Sequence, residues 1–418
     1  MKKIHEDWVV VILGFLMIAL AIVNIKSPVP SYSWANAADL STKVLSGANL
    51  INILIQFAFV FMIAMIGTLL TGKPLKHFLY VFPVVYFVSI IALILAGNKQ
   101  VKTLNLEAVI FSLSLGLLIG NLFKLPDWFR AALSTELFVK IGLVILGTTI
   151  IFSDIVKAGS FGLIQAVIVV LSVWYFAYWL CQKLKIDKEM TMMISSAVSI
   201  CGVSAAIATA GAIHGDNKKL SYVISLVLIT AIPMMIGMPY LAQVMGLSQE
   251  VTGAWLGGSI DTTGAVVASG TLVGDAALKV STIVKFSQNV LLGIAAFAIS
   301  VYWTINSNKT STTAKEQNPG LKVIWERFPK FVLGFLAASV LFSFFIPLNV
   351  VAATKDSLKN FQTLWFVLAF TSIGLETKFS DLLHRDNRKP LYAFVIAQAF
   401  NILVTLLIAY LLFRNYTI

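Results

Sequence analysis

The sequence predicts an all-α polytopic membrane protein with discontinuous helices, and three observations lead there. Of the 418 residues, 58% are hydrophobic and 12% charged, where soluble domains carry roughly a quarter charged. Apolar runs of spanning length, about 20 residues each, recur along the whole chain. Two of them are interrupted by small and polar residues, Ser195 to Ser204 and Gly257 to Gly264. Hydrocarbon offers no water to backbone groups, so such interruptions survive only where protein buries them or where they line a polar cavity. The net charge of +12 sits in short connections between apolar runs. It reads as a topology signal, since no basic stripe with interleaved aromatics marks a nucleic-acid surface. Cys181 and Cys201 offer no CxxC and no metal-ligand spacing, so neither a disulfide framework nor a zinc site is implied.

Lys2 and Lys3 precede the apolar run Trp8–Ile25. It is read as a retained first span because no small-residue cleavage site follows, a cleaved signal peptide being the other reading. The polar segment Ser27–Asn49 carries Tyr32 and Trp34, which suit a membrane interface. Ile51–Leu70, Phe78–Ala96 and Leu106–Phe123 are the next spans, and Lys124–Leu133 is amphipathic and interfacial. Leu137–Phe152 and Phe161–Leu180 lead to the first interrupted span, Met190–Ile213. Tyr222–Val244, with Pro233 and Pro239 inside it, leads to the second, Val251–Val273, and Val280–Ile305 follows. Asn306–Trp325 is polar and reads as a flexible linker and an inside loop, despite the sequon match at Asn308. Phe331–Val351, Leu364–Gly374 with its flanks, and Leu391–Phe413 complete about 12–13 crossings. The expected organisation is a main bundle over 1–305, the linker 306–325, and C-terminal spans over 326–418 packing on the same bundle. Lys and Arg in short loops, Lys73, Lys76, Lys183 and Lys185 among them, favour a cytoplasmic N-terminus in the cell inner (plasma) membrane.

Gly147-Thr148-Thr149-Ile150-Ile151-Phe152-Ser153-Asp154 ends one span, and Gly374-Leu375-Glu376-Thr377-Lys378-Phe379-Ser380-Asp381 ends another on the opposite side. Inverted-topology repeats give such pairs; chance, with Asp as an ordinary helix cap, is the alternative. The two interruptions are not spaced by the same offset as these motifs.

Ser199-Ile200-Cys201-Gly202-Val203-Ser204-Ala205-Ala206 resembles the Ser-Ile-Cys-Gly-x-Ser-Ala motif of the YeiH family, whose name assigns it sulfate export. Leu115 to Asn121, Val266 to Gly270 and Val284-Lys285 resemble other segments of that family. The family resembles the sodium/proton antiporter and bile-acid symporter superfamily. That resemblance implies a scaffold bundle, a core bundle with crossed discontinuous helices, elevator-like alternating access and a homodimer. The chain departs from the family pattern at Ile260 to Val267. The family His falls on Asp261, its Asp on Thr262 and its Gln on Ala265, and Gln288 stands where Arg is usual.

Ionisable residues inside spans are costly, which makes each a functional hypothesis. Asp261, with Ser259 nearby, suits Na⁺ or a proton; its plain reading is a helix-end cap. Lys285 either counters a bound anion or forms a fixed pair with Asp261. Gln288 and Asn289 follow on the same helical face and would hydrogen-bond substrate oxygens or bridge helices. Ser199, Cys201, Gly202, Ser204, Thr262 and Thr263 complete the expected solute site, where half-helix amides suit an anionic group; small-residue packing is the alternative. Asn121 joins the ion-coupling candidates Asp261 and Ser259, while Glu376, Gln398 and Asn401 rank behind them. Glu136 and Lys140, four apart, read as helix support.

A secondary transporter of a small anion, sulfate- or sulfonate-like, is the expected function, with Na⁺ or H⁺ as coupling ion and no resident cofactor. Its partners would be the solute and the lipid bilayer, with no nucleic acid. Gly-x-x-x-x-Gly-Lys-Ser/Thr is absent, so the chain does not hydrolyse ATP by a P-loop. An integral-membrane enzyme acting on a lipid-linked substrate would call for an acidic or His cluster. A passive anion channel would keep the same residues but show uncoupled flux.

Overall fold

A chain threading hydrocarbon must satisfy its amides internally, which leaves the helix as the local solution for this composition. The computed structural model describes residues 4–23, 25, 28–103, 108–213, 215–307, 325, 328–377 and 388–416. Among them there is no strand beyond one isolated bridge between Trp34 and Asn98. The protein is an all-α polytopic membrane protein. It packs as two compact units, Met1–Phe152 with Lys330–Lys378 and Ser153–Pro329 with Phe379–Ile418. Residues before and after the sequence linker contribute to both.

The first unit begins with α1 (Glu6–Ile22), α2 (Gly47–Thr71), α3 (Leu75–Ala96), α4 (Ala108–Leu122) and α5 (Thr135–Leu146). The second holds α6 (Phe152–Lys183), α7 (Lys188–Ser196), α8 (Val203–Ile213), α9 (Asn217–Val244), α10 (Gln249–Ser259), α11 (Thr263–Val273) and α12 (Asp275–Ser307). The chain returns to the first unit with α13 (Phe331–Val340) and α14 (Leu348–Glu376) and closes in the second with α15 (Arg388–Phe413). Seven helices among the described residues are long and apolar enough to cross a membrane. The larger sequence count of about 12–13 included two segments that the fold divides into helices of 9 to 11 residues. It also included segments whose helices run only 17, 15 and 10 residues, α1, α4 and α13, and Leu364–Gly374, which lies in the 29-residue α14 and is not among the seven. Most of the linker Asn306–Trp325, the sequon and the second Phe-Ser-Asp lie outside the described residues.

In the first unit, α14 packs on α3, α4 and α5, and α1 packs on α5 and α13. Val9, Val10, Leu13 and Met17 of α1 are fully buried. The approach of α4 to α14 is set by missing side chains, as small-xxx-small interfaces between membrane helices require. A Cβ on Gly374 would stand 2.6 Å from Leu113 O and 2.6 Å from Leu117 N. Gly374→Leu is therefore expected to lower stability by about 2 kcal/mol or more through overpacking. Thermal unfolding of the detergent-solubilised protein checks this, and an unchanged midpoint would refute the close approach. At the end of the same unit Lys140 meets Asp7 at 3.0 Å, Glu136 at 3.5 Å and Glu6 at 3.7 Å. The Glu136–Lys140 spacing is thus part of an ion cluster that ties α5 to α1.

Candidate functional site

Both interruptions fall in the second unit, and each has a local cause. In the first, Ser195 Oγ donates to Thr191 O at 2.7 Å and Ser199 Oγ to Ser195 O at 2.7 Å. Hydroxyls bonded back four residues loosen and bend a helix. The chain widens into one π turn, Ala197–Cys201, the kind of bulge that recurs at functional positions. It then reverses at Gly202, with φ 58° and ψ −110°, and restarts as α8. In the second, α10 stops at Ser259, Ile260 and Thr262 are extended, and Thr262 Oγ1 caps α11 by accepting from Ala265 N at 3.3 Å. The second halves are held by their neighbours, α8 packing on α12 and α11 on α9. A Cβ on Gly202 would lie 2.9 Å from Asp261 Cβ, so one break rests directly on the other.

Two broken helices leave carbonyls at the ends of their first halves, and three buried side chains from α12 and α15 take them up in pairs. Lys285 Nζ donates to Ile200 O and Ile260 O, each at 2.9 Å. Gln288 Nε2 donates to Ser199 O at 2.9 Å and Gly258 O at 3.3 Å. Asn401 Nδ2 donates to Val198 O at 3.0 Å and Ser259 O at 3.3 Å. Each donor bridges the first break to the second. The third proton of Lys285 goes to Gln288 Oε1 at 2.8 Å, so its ammonium is fully used. A cation at two helix C-termini also answers their partial negative charge. Lys285 makes no ion pair with Asp261 within 4.0 Å. In this arrangement Lys285 and Gln288 hold backbone carbonyls of both breaks.

The opposite ends are differently arranged. Ser204 at the start of α8 is exposed, and Thr262 and Thr263 at the start of α11 are half-buried. Ser199 and Cys201 are buried. Helix N-termini such as those that open α8 and α11 favour negative charge.

Besides Gln165 Oε1, whose side chain lies against Gly258, four buried oxygens sit on or beside the second break without a hydrogen-bond partner: Ser259 Oγ, Asp261 Oδ2, Asn289 Oδ1 and Gln398 Oε1. Their residues are 1%, 2%, 6% and 4% exposed. Gln398 Nε2 donates to Ser259 O at 2.8 Å, and its side chain also interacts with the Asp261 carboxylate. Asn289 Nδ2 donates to Thr263 Oγ1 at 3.4 Å. Native proteins leave few such groups, so a cluster of them calls for a cause.

Of the sequence-derived candidates, the second unit brings together Asp261, Ser259, Gly202, Ser199, Cys201, Ser204, Thr262, Thr263, Lys285, Gln288 and Asn289. Asn121 belongs to the first unit, where its amide donates to Leu117 O at 2.9 Å and Thr377 O at 3.0 Å. Glu376 is there too, accepting from Thr135 Oγ1 at 3.1 Å. Gln398 and Asn401 rise from lesser candidates to members of the second unit's group. Thr405, whose Oγ1 donates to Asn401 Oδ1 at 2.8 Å, was not anticipated. The signal for it is the spacing of 398, 401 and 405, which puts three polar groups on one face of an apolar helix.

Comparison with known proteins gives one family match, to conserved hypothetical protein 698, over residues 81–393. The chain is similar to a UPF0324 membrane protein of Rhodopirellula baltica, 42% identical over 328 residues, 75% of this chain and 59% of that protein. It is 40% identical to one of Nitratidesulfovibrio vulgaris over 321 residues, 73% of this chain and 54% of the relative. A UPF0324 membrane protein of Corynebacterium glutamicum is 30% identical over 290 residues, 68% of this chain and 80% of its own length. The chain thus spans between half and three-fifths of the length of the first two relatives. No solved structure matches.

Proposed function

The chain belongs to the family of conserved hypothetical protein 698, the UPF0324 membrane proteins, and we propose that it works as a secondary transporter of a small anion. The second unit carries this reading: two helical hairpins that fold back inside apolar segments, the first bringing Asp216 N to Glu189 Oε2 at 3.3 Å and the second bringing Gly274 against Gln249, with the carbonyls at their turns held by Lys285, Gln288 and Asn401. Non-helical backbone at membrane depth, tolerated where protein buries it or where it lines a cavity, is where transporters hold ions and solutes. Paired helix N-termini favour an oxyanion of the sulfate or sulfonate class. The cycle is alternating access of the elevator type, coupled to Na⁺ or H⁺ through Asp261, in a homodimer with a cytoplasmic N-terminus in the cell inner membrane.

A lipid-linked enzyme is less well supported. Such chemistry draws on acidic or His groups placed at a substrate, and the three carboxylates that do gather, Glu6, Asp7 and Glu136, are paired with Lys140.

Proteoliposome uptake tests the proposal. Saturable, gradient-driven uptake of a labelled sulfur oxyanion or sulfonate is expected, with coupled uptake falling about tenfold or more in Asp261→Asn, the loss of a charge that makes differential contacts in the cycle. Unsaturable flux indifferent to Na⁺ and pH gradients would mean a channel, and normal coupling in Asp261→Asn would remove that residue from the mechanism.

A further inference from the structure

The four unpartnered oxygens at the second break share one chemical character. Gln398 and Asn289 each have the amide nitrogen engaged by protein, Gln398 Nε2 on Ser259 O and Asn289 Nδ2 on Thr263 Oγ1. That orientation leaves the amide oxygens as the free ends. Asp261 Oδ2 is an acceptor when ionised, and Ser259 Oγ carries two lone pairs. Protonation of Asp261 does not resolve the group by itself, because one proton on Oδ2 answers at most one of the other three oxygens. What answers several acceptors at once is a positive third body. Lys285 is not that body, since its three protons are taken by Ile200 O, Ile260 O and Gln288 Oε1.

We propose that Asp261 Oδ2, Ser259 Oγ, Gln398 Oε1 and Asn289 Oδ1 form the binding site of one monovalent hard cation, Na⁺, with Gln398 on α15 as a ligand. All-oxygen donors select hard cations over zinc or copper. A single carboxylate matches one positive charge, where Ca²⁺ sites draw on several. The position also gives the cation a consequence. Asp261 immediately precedes Thr262, the cap of α11, so a bound cation adds positive charge beneath the amide ends where the proposed anion sits. Cation and anion then raise each other's affinity by the same factor. This last step rests on the transport reading; the cation site itself does not.

The experiment is equilibrium binding of ²²Na⁺ to the full chain purified in detergent, with choline as the balancing cation. Saturable binding that is competed by Li⁺ and unlabelled Na⁺ but not by choline is expected. Asp261→Asn should abolish it and Gln398→Leu should weaken it about tenfold or more, the scale on which lost ligand-shell groups act. Thr282→Val is the control: Thr282 Oγ1 is also buried without a partner but lies outside the group, and its variant should bind as the parent does. No saturable Na⁺ binding by the unaltered protein overturns the site, whatever the variants do. So does parental affinity in both Asp261→Asn and Gln398→Leu. Na⁺ binding without solute uptake in proteoliposomes would refute the transport reading and leave the site standing. Saturable uptake without Na⁺ binding would do the reverse.

Discussion

Lys285→Ala is expected to lower the thermal unfolding midpoint of the detergent-solubilised protein by roughly 5–10 °C. The substitution removes one donor group from three acceptors at once: Ile200 O at 2.9 Å, Ile260 O at 2.9 Å and Gln288 Oε1 at 2.8 Å. A buried polar atom left without its partner costs about 1–3 kcal/mol, and breaking a buried charged contact costs about 3–5 kcal/mol. Some of the cost is recovered as Gln288 re-aims, so a net loss of about 3–5 kcal/mol is the expectation. At about 2 °C per kcal/mol for a unit of this size the quoted shift follows. The same variant separates two readings of Lys285. If the ammonium mainly held a solute, its loss would weaken solute binding and leave the apo protein's midpoint nearly unchanged. A midpoint within about one degree of the parent, with anion binding lost, would therefore overturn the clamp.

The places where the fold breaks were legible because apolar helices seldom spend Ser, Gly and Asp at depth without cause. Asp261, Lys285 and the Ser199–Ser204 stretch stood out on that ground alone. What sequence could not supply was the accounting of donors. The partners of Lys285, Gln288 and Asn401 are backbone carbonyls, and a carbonyl has no letter in the sequence. Lys285 had two readings in sequence, a counter-charge to an anion or a pair with Asp261; the fold gives the ammonium to helix ends and leaves one carboxylate oxygen without a hydrogen-bond partner. Gln398 and Asn401 sit about 140 residues beyond Ser259 in the chain, a separation across which spacing carries no register.

The first Phe-Ser-Asp coincides with a boundary between the packing units. The chain passes from the first unit to the second at Phe152–Ser153, inside the first Phe-Ser-Asp, and again between Thr377 and Arg388, the interval that holds the second. After the first passage α6 leads into the broken pair α7 and α8 and then α9. After the second comes α15, while the other broken pair, α10 and α11, and its neighbour α12 stand earlier in the chain.

Gly202→Ala is expected to cost about 3–5 kcal/mol, combining backbone strain of about 1–3 kcal/mol with overpacking of similar size. The φ of 58° and ψ of −110° lie where only glycine is at ease, since a Cβ there meets its own backbone. The surroundings are closed as well: the new Cβ would lie 2.6 Å from Val227 Cγ1, 2.9 Å from Asp261 Cβ and 3.2 Å from Asp261 O. Val227 can turn aside, being a side chain on α9. Asp261 cannot, because its backbone links α10 to α11 and Ile260 O beside it is held by Lys285. The added methyl must push one break away from the other, and the carboxylate moves with it. Two readouts should change together, a lower unfolding midpoint and weaker Na⁺ binding. Gly237→Ala supplies the comparison, for Gly237 lies within α9 with nothing within 4 Å of its would-be Cβ, and alanine there should stabilise by up to about 1 kcal/mol. If Gly202→Ala behaves as Gly237→Ala does, then the reversal at Gly202 does not set the position of Asp261, and the contact between the two breaks is incidental to both stability and ion binding.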